Sequence, residues 1–483
     1  AEAVRRLPGV FAEIDQNEGR YVVVRGIDAN LNNITINGIS VGSTEAGNRG
    51  AAMDSVPADL ISRVEVVKAV TPDMDAQAIG ASVNIVTPSA FDREKGYASG
   101  TLAGGYFNGP RSDFFENKTT PYSGSAVYST IFGGGKWGII VGGSYSYRHY
   151  ISNRRSGGGT WYPAAASGPG ADIFFPATEA LFHYDVQRWR AGANAALEFR
   201  PSDNHHYTLR LTENRFKDQE GREQNGFDFF QTAFPASYTD TTAHFTGGRS
   251  TVEYRYYHQR HNITNVSFEG KDTLGDGATK LDYTLAVGSA DKIVPNRIDW
   301  EFRSGSNIAS DIDTSGHYWV VTPEAKFFDP ATFPFRRVRF RKDDETEDNL
   351  TAEFNLKRDR QFLGHQGFWQ VGGKFFSRDK ADERENTDYL AGTGANLFNL
   401  SQFNLSTPGH EIFDGDFKMS PQINFRAIED FFKANPNYFV LNPAGTLSDS
   451  YVTDFRMKEK ISAAYAMAKA DFGPWSVLAG VRV

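Results

Sequence analysis

The chain has 483 residues, with 47 glycines, 14% aromatic and 40% apolar residues, no cysteine and a formal net charge of −8. So few apolar residues supply a large soluble core poorly, the lack of cysteine removes disulfides, thiolate nucleophiles and cysteine-ligated zinc, and an acidic balance with no basic stripe argues against nucleic acid. No window reaches the ~18 continuous apolar residues of a membrane helix, which excludes a helical membrane protein and leaves open a β-barrel, greasy outside and wet inside.

The opening residues AEAVRRLPGV lack the apolar stretch of a signal peptide. From Tyr21 onward, β-branched clusters at residues 22–24, 34–36, 64–67 and 83–86 predict four short strands. Pro57-Ala58-Asp59-Leu60-Ile61 predicts a short helix, with proline in its first turn and an acid close behind. Strands alternating with short helical or glycine-rich links predict a small α+β domain over residues 1–90.

Within that domain stand Arg25-Gly26 after an apolar strand, the turn Ile36-Asn37-Gly38, the strand Arg63-Val64-Glu65-Val66-Val67 and the segment AIGASVNIVT at residues 78–87. Their order and spacing resemble the plug domain of TonB-dependent outer-membrane transporters, over roughly a fifth of the chain. The resemblance implies a plug seated inside a barrel, with the signal peptide and the TonB-contacting segment upstream of Ala1.

After the linker Pro88-Ser89-Ala90-Phe91-Asp92 the sequence turns to alternation. Trp137, Ile139, Val141 and Gly143 share one face, opposite Gly138, Gly142, Ser144 and Ser146. Leu197 and Phe199 oppose Glu198, and Leu350, Ala352, Phe354 and Leu356 oppose Glu353 and Lys357. Short links at residues 133–136, 201–205, 275–278, 364–367 and 473–474 are bracketed in several cases by aromatics. Between them run long polar excursions at about 108–121, 151–183, 219–250, 293–344 and 386–454. Tight turns at one end, long loops at the other and paired aromatics at an interface are the pattern of an outer-membrane barrel.

About eleven strands are expected, at residues 96–107, 122–132, 136–150, 184–200, 204–218, 250–271, 279–292, 345–361, 367–383, 455–472 and 474–483. Several exceed the ~9–11 residues that cross a bilayer and should project beyond it. Trp137, Ile139, Val141, Leu197, Phe199, Leu350, Phe354 and Val477 are expected to face lipid, as are Ile461, Ala463, Tyr465, Met467, Ala479 and Val481. The fold class expected is thus a transmembrane antiparallel β-barrel with an N-terminal α+β plug inside it. Residues 1–90 form the plug and 91–483 the N-terminal half of a barrel of about 22 strands. The remaining half comes from further chain or a second polypeptide, since an odd, narrow wall neither closes well nor holds a plug.

Gly38-Ile39-Ser40-Val41-Gly42 spells G-x-S-x-G, but the following residues read as loop where a nucleophile elbow requires a helix. Residues 40–51 are read instead as a plug loop. By the resemblance, such a loop rises toward the outer face, making Ser43, Thr44, Glu45, Asn48 and Arg49 candidate substrate contacts. His258 and His261, three apart on a strand, fall on opposite faces and do not chelate together. The acidic run Asp343-Asp344-Glu345-Thr346-Glu347-Asp348 is read as a solvated loop base ahead of a Ca²⁺ site. Arg25 and Arg63, on plug strands, are expected to pair with the lumen-facing Glu198 and Glu353. Aromatics on the long loops, among them Phe174-Phe175, Phe229-Phe230 and Phe327-Phe328, are expected mostly to pack loop on loop.

The resemblance implies active uptake of a scarce or bulky nutrient, such as a siderophore–iron complex or an oligosaccharide, across the outer membrane. Its partners are then TonB with its inner-membrane energy-coupling proteins, an extracellular substrate, and outer-membrane lipid and lipopolysaccharide. No catalytic residue, cofactor or metal is expected. The rival readings are a passive outer-membrane channel, a ligand-sensing surface receptor and an outer-membrane enzyme.

Overall fold

The structure, a computed structural model, describes residues 7–56, 60–106, 120–157, 159–231, 234–362, 364–394 and 397–483. Its first domain holds β1 (Val10–Asp15), β2 (Glu18–Val24), β3 (Asn33–Ile36), β4 (Ile39–Ser40), β5 (Arg63–Val67) and β6 (Ser82–Val86). The four predicted strands are β2, β3, β5 and β6; β1 and β4 are additions. β1 turns into β2 through Gln16 and Asn17, both at positive φ (47° and 67°), the backbone of a two-residue hairpin. Asn37 and Gly38 (φ 52° and 83°) make the same kind of turn between β3 and β4.

The sheet order is β4-β3-β6-β5, with β3 parallel to β6. Asn84 pins it from within. Its Oδ1 accepts from Thr35 Oγ1 at 3.0 Å and from the Gly38 amide at 2.8 Å, while its Nδ2 donates to Glu65 at 3.0 Å. Residues 57–59 of the predicted helix lie outside the described residues.

Among the described residues, eleven strands then form the main path of one antiparallel wall. They are β7 (Tyr97–Gly104), β8 (Tyr122–Phe132), β9 (Trp137–Gly157), β10 (Thr178–Ser202), β11 (His205–Asp228), β12 (Thr242–Leu274), β13 (Thr279–Arg303), β14 (Phe335–Phe362), β15 (His365–Ala391), β16 (Phe455–Phe472) and β17 (Trp475–Arg482). Each pairs with its sequence neighbours, from β7 at one edge to β17 at the other. Short turns close the pairs Phe132–Trp137, Ser202–His205, Leu274–Thr279, Phe362–His365 and Phe472–Trp475 at one end.

Beside those turns an outward row of rings runs through Phe132, Trp137, Phe199, Tyr207, Phe268 and Tyr283, with successive centroids 6.3, 4.3, 6.3, 6.5 and 6.2 Å apart. Roughly ten residues further along β9 and β10, Tyr147 and Trp189 pair across the strands with rings 5.2 Å apart, the span of one tilted membrane strand. Val141, Leu197, Leu350, Phe354 and Val477 are exposed on the outward face, as expected of a lipid-facing belt.

The last hairpin corrects one expectation. Its two-residue turn pairs Phe472 with Trp475, so even positions of β16 share a face with odd positions of β17. Val477, Ala479 and Val481 therefore point outward together with Ala466, Ala468 and Ala470. Ile461, Ala463, Tyr465 and Met467, expected at lipid, lie on the lumen side instead, Tyr465 and Met467 buried there, and the Tyr465 hydroxyl meets Gln370 at 2.6 Å.

Seven strands, β9 to β15, run 21 to 33 residues and absorb much of what reads as loop. The acidic run 343–348 is part of β14 and not a loop base. Asp343, Glu345 and Glu347 are buried on its lumen face and Asp344, Thr346 and Asp348 are exposed on the other.

Beyond the belt, the excursion between β15 and β16, which carries α1 (Phe425–Ala434) and α2 (Pro443–Tyr451), lies across the outward face. Phe425 stacks over Tyr254 and Tyr256 at 5.1 and 5.9 Å, and Phe432 meets Trp300 at 5.9 Å. Phe175, Phe229 and Phe327 join the same buried cluster, so these loop aromatics do pack loops together, while Trp161, Tyr162, Phe174 and Tyr318 stay exposed.

The assigned faces predict opposite tolerances to charge. Leu197→Arg, at lipid, should lose about 2–4 kcal/mol, whereas Ser146→Arg on the lumen face should be accepted. The fraction of heat-resistant folded protein recovered in membranes measures both.

Candidate functional site

The surface that joins the plug to its wall is ionic, and its signs follow a pattern. In most of the ion pairs the plug brings carboxylates and the wall brings cations, Arg49 with Glu459 being the reverse. At the tip of the β1–β2 hairpin, Glu18 accepts from Arg188 at 2.7 Å and from Arg148 and Arg190. At the apical loop, Glu45 meets Lys292 at 2.8 Å, and Lys292 also reaches Glu345 at 2.9 Å. Lys380 donates to the Glu45 and Asn48 carbonyls at 2.7 and 3.0 Å. Lower down, Asp75 meets Lys374 at 2.7 Å and Arg482 at 3.3 Å. Arg20, inside the plug, ties Glu45 to Asp15.

Buried cations of the wall find a second carboxylate within the wall itself. The acidic run supplies these: Glu347 faces Arg378 and Lys380 at 3.0 and 3.3 Å, and Asp343 faces Arg341 and Arg384 at 2.8 and 2.7 Å. Cross-strand neighbours place the opposite charges at this spacing, so the run serves ion pairing. Among the described residues no cluster of three or more His, Cys, Asp or Glu side chains has the arrangement of a metal site.

Glu18 shows the strength of such a contact. Burial alone would raise its pKa, but the charges and hydrogen bonds of Arg190 and Arg188 outweigh that and hold it at about 2, against 4.5 for a free side chain.

The apical loop is docked more firmly than its sequence suggests. Ser43 is buried and donates to the carbonyls of Glu45 and Gly50. Thr44 is buried against His261, 2.7 Å from its Nδ1. A Cβ on Gly42 would stand 2.8 Å from that of Ala290 on β13, so only glycine lets the loop lie this close. Of the five candidate contacts, Ser43, Thr44 and Glu45 are thus occupied in anchoring. Asn48 is half-buried and donates to the Tyr21 hydroxyl at 3.2 Å. Arg49 is exposed, with one contact to Glu459 at 3.2 Å. Ser40 ends the two-residue β4 and is followed by loop, so no helix completes a nucleophile elbow.

The expected arginine pairs are replaced by others. Arg63 is exposed and meets Glu65 of its own strand at 2.7 Å. Arg25 is exposed in the left-handed turn after β2 (φ 57°), its amide donating to the Gly9 carbonyl. Glu198 does face the plug, but it accepts from Ser89 Oγ at 2.8 Å and the Ala90 amide at 2.7 Å, with His206 at 2.9 Å. Glu353 lies 3.7 Å from Lys374, the same lysine that holds Asp75. Strand parity finds the lumen-facing acids. The plug-side partners carry no local signal, because they depend on how the domain is rotated inside its wall.

Residues 1–82 match the family described as TonB-dependent Receptor Plug Domain. No curated protein matches the chain. Among solved structures, a mutant of the ferric enterobactin receptor PfeA of Pseudomonas aeruginosa, bound to enterobactin, aligns at 9% identity over 99% of this chain and 90% of that one, with a TM-score of 0.33. A double mutant of the Serratia marcescens hemophore receptor HasR, in complex with HasA and heme, aligns at 8% identity over 99% and 90%, with a TM-score of 0.27. The outer-membrane transporter YddB of Escherichia coli aligns at 8% identity over 97% and 83%, also at 0.27.

Two outcomes are expected. Since the Glu18 pKa is depressed, its stabilisation is full above pH 4.5 and is lost as pH falls toward 2. Glu18→Gln should remove about 3 kcal/mol of plug docking at pH 7 and flatten that acid dependence, as read by hydrogen exchange of residues 10–24. Asp75→Asn and Lys374→Met should each loosen the plug, and their double variant should do so by less than the sum, with a coupling of about 1.5–3 kcal/mol.

Proposed function

We propose that this is an outer-membrane protein of the TonB-dependent receptor family and that it imports a scarce or bulky nutrient that cannot cross the membrane passively. In this reading residues 1–90 are the plug and 91–483 the first half of the wall. Further strands, of the same chain or of a second polypeptide, close the edges of β7 and β17, since unpaired backbone groups at bilayer depth cost several kcal/mol each. Substrate is captured from outside, and the TonB complex supplies the energy that disturbs the plug. A passive channel would have no use for a separate domain inside its lumen.

One observation carries the proposal: the plug is fixed by ion pairs and hydrogen bonds to Lys292, Lys374, Lys380, Arg188 and Glu198. Contacts of this kind are strong while dry and weaken when water reaches them, as a part that must move under load requires. The catalytic alternative has less support, since among the described residues Ser40 is followed by loop where a nucleophile elbow needs a helix.

The test is genetic. A strain lacking the protein should fail to grow under iron starvation or on one particular carbon source, and loss of TonB should reproduce that failure. Normal growth of the TonB-deficient strain under the same condition would refute active uptake.

A further inference from the structure

Around residues 409–420, the excursion between β15 and β16 meets the outward face of the wall through apolar contacts and a pair of imidazoles. Ile412 and Met419 pack on Leu181 of β10, and Phe417 lies over Arg155 of β9, its ring centre 4.5 Å from the guanidinium. His183 of β10 and His410 of the excursion stack face to face, with ring centres 4.8 Å apart and planes 9° from parallel. His183 shares the face of Trp189 and stands six residues beyond it along β10, outside the membrane belt.

Stacked imidazoles attract as aromatic rings when one is neutral and repel when both carry a proton. His183 is buried, and its Nδ1 donates to Asn153 Oδ1 at 2.7 Å. The charged groups around the pair come from every neighbouring element. Asp185 of β10 is held by His149 of β9 at 2.6 Å, and Glu223 of β11 stands 3.3 Å from His410 Nε2. Glu179 of β10 pairs with Arg155, while Tyr254 of β12 and Arg426 of α1 belong to the same patch as Asp185 and Glu223. Burial and the charge of His410 push the pKa of His183 down to about 4, and the opposing charge of Asp185 does not make up the difference.

We propose that the His183–His410 stack is an acid-operated latch, which keeps the excursion closed over β10 and β11 near neutral pH and lets residues 409–420 lift from the wall when the medium turns acid. The latch is independent of the uptake reading. His183 is held neutral in the closed form and returns to its ordinary value of 6.5 once the segment lifts. Its contribution is therefore complete above pH 6.5 and lost as pH falls toward 4. The apolar contacts, and the Ser420 amide donating to Asn225 Oδ1 at 3.1 Å, do not titrate. Glu179, its pKa pushed up by burial, tightens rather than loosens the closed form in acid. Phe417 and Lys418 form one wall of a cavity of about 280 Å³ shared with Leu181, Phe227 and Phe327, so lifting the segment opens that cavity as well.

Because the chain has no cysteine, an introduced thiol reports on the latch. Met419 is fully buried against Leu181, and Ser401 is exposed elsewhere on the same excursion. Intact cells carrying Met419→Cys or Ser401→Cys are treated with a membrane-impermeant fluorescein maleimide at about pH 7.5 and about pH 5. Dividing the first labelling rate by the second removes the pH dependence of the thiol itself. The ratio should rise at least about tenfold at the lower pH. His183→Gln keeps an amide for Asn153 but cannot take up a proton, and should hold the ratio within about twofold. His410→Gln removes the second charged ring and should give an intermediate rise. No rise in the parent, or a rise in His183→Gln equal to the parent's, would overturn the latch. If His183→Gln is already labelled fully at the higher pH, His410→Gln decides: a rise smaller than the parent's supports the latch, and one as large overturns it.

Discussion

Glu18, Glu45 and Asp75 each carry a negative charge from the plug to cations on the wall, and the placing of the whole domain depends on those meetings. A plug could have been fixed by apolar burial at about 25 cal/mol per Å², and a small part of it is, through Ile263 and Ala290. Apolar contact resists force in proportion to area and is little altered by a few water molecules. Ion pairs behave otherwise: in a dry interface, stranding one partner costs about 3–5 kcal/mol, and in water the same pair is worth about 0–1 kcal/mol. Wetting the interface therefore loosens it without any change in the residues. A domain that must stay seated at rest and shift under load is suited by contacts that depend on dryness.

The distribution of sign follows from where the charges must sit otherwise. Lys292 stands between Glu45 of the plug and Glu345 of the wall, and Lys374 between Asp75 and Glu353. Each of these two lysines keeps a wall carboxylate when the plug's is withdrawn, so neither buried ammonium is left alone. The plug carboxylates, on a domain with water at its own surface, can be resolvated once they part. The alternation of acids along β14 is thus what makes separation tolerable, and it explains why Asp343, Glu345 and Glu347 all face inward.

How far the sequence revealed this depends on the range of the interaction. Strands were legible because side-chain alternation is a local property, and all eleven wall strands lie where their period-two patterns put them. Turn chemistry was local too, as at Asn37-Gly38 and Gly473-Pro474. The upper reaches of β10 to β15 were not legible. They are charged on one face and aromatic on the other, and both faces are covered, one by cross-strand ion pairs and one by Phe425 and Phe432 from a distant excursion. Such strands read as polar loops until their partners are known. Arg25 and Arg63 failed for the same reason, since a conspicuous arginine says nothing about which way its domain is turned. The inverted face of β16 had a local cause: across a two-residue turn, odd positions pair with even ones, and reading both strands by odd positions misplaces Ile461, Ala463, Tyr465 and Met467.

One strand shows how depth decides what may stand beside it. Through the membrane belt β15 is paired by β16, backbone to backbone, up to the pair Asp382–Phe455. Beyond that point α2 and the residues after it take over the edge as far as Asp388, and residues 439–441 then pair with Tyr389–Ala391 as a strand again. Thr446 Oγ1, Ser450 Oγ and Asp454 Oδ1 accept from the amides of Asp388, Asn386 and Arg384 at 3.0, 3.0 and 2.8 Å. The match is geometric: four residues of helix rise about 6 Å and two residues of strand about 6.6 Å, so side chains every fourth position meet amides every second. A helix edge of this kind leaves intervening groups to water, which is acceptable above the bilayer and forbidden within it. The change from strand to helix along one edge therefore falls outside the hydrocarbon, where such an edge is allowed. It also explains why, at bilayer depth, only further strands can serve as the proposed neighbours of β7 and β17.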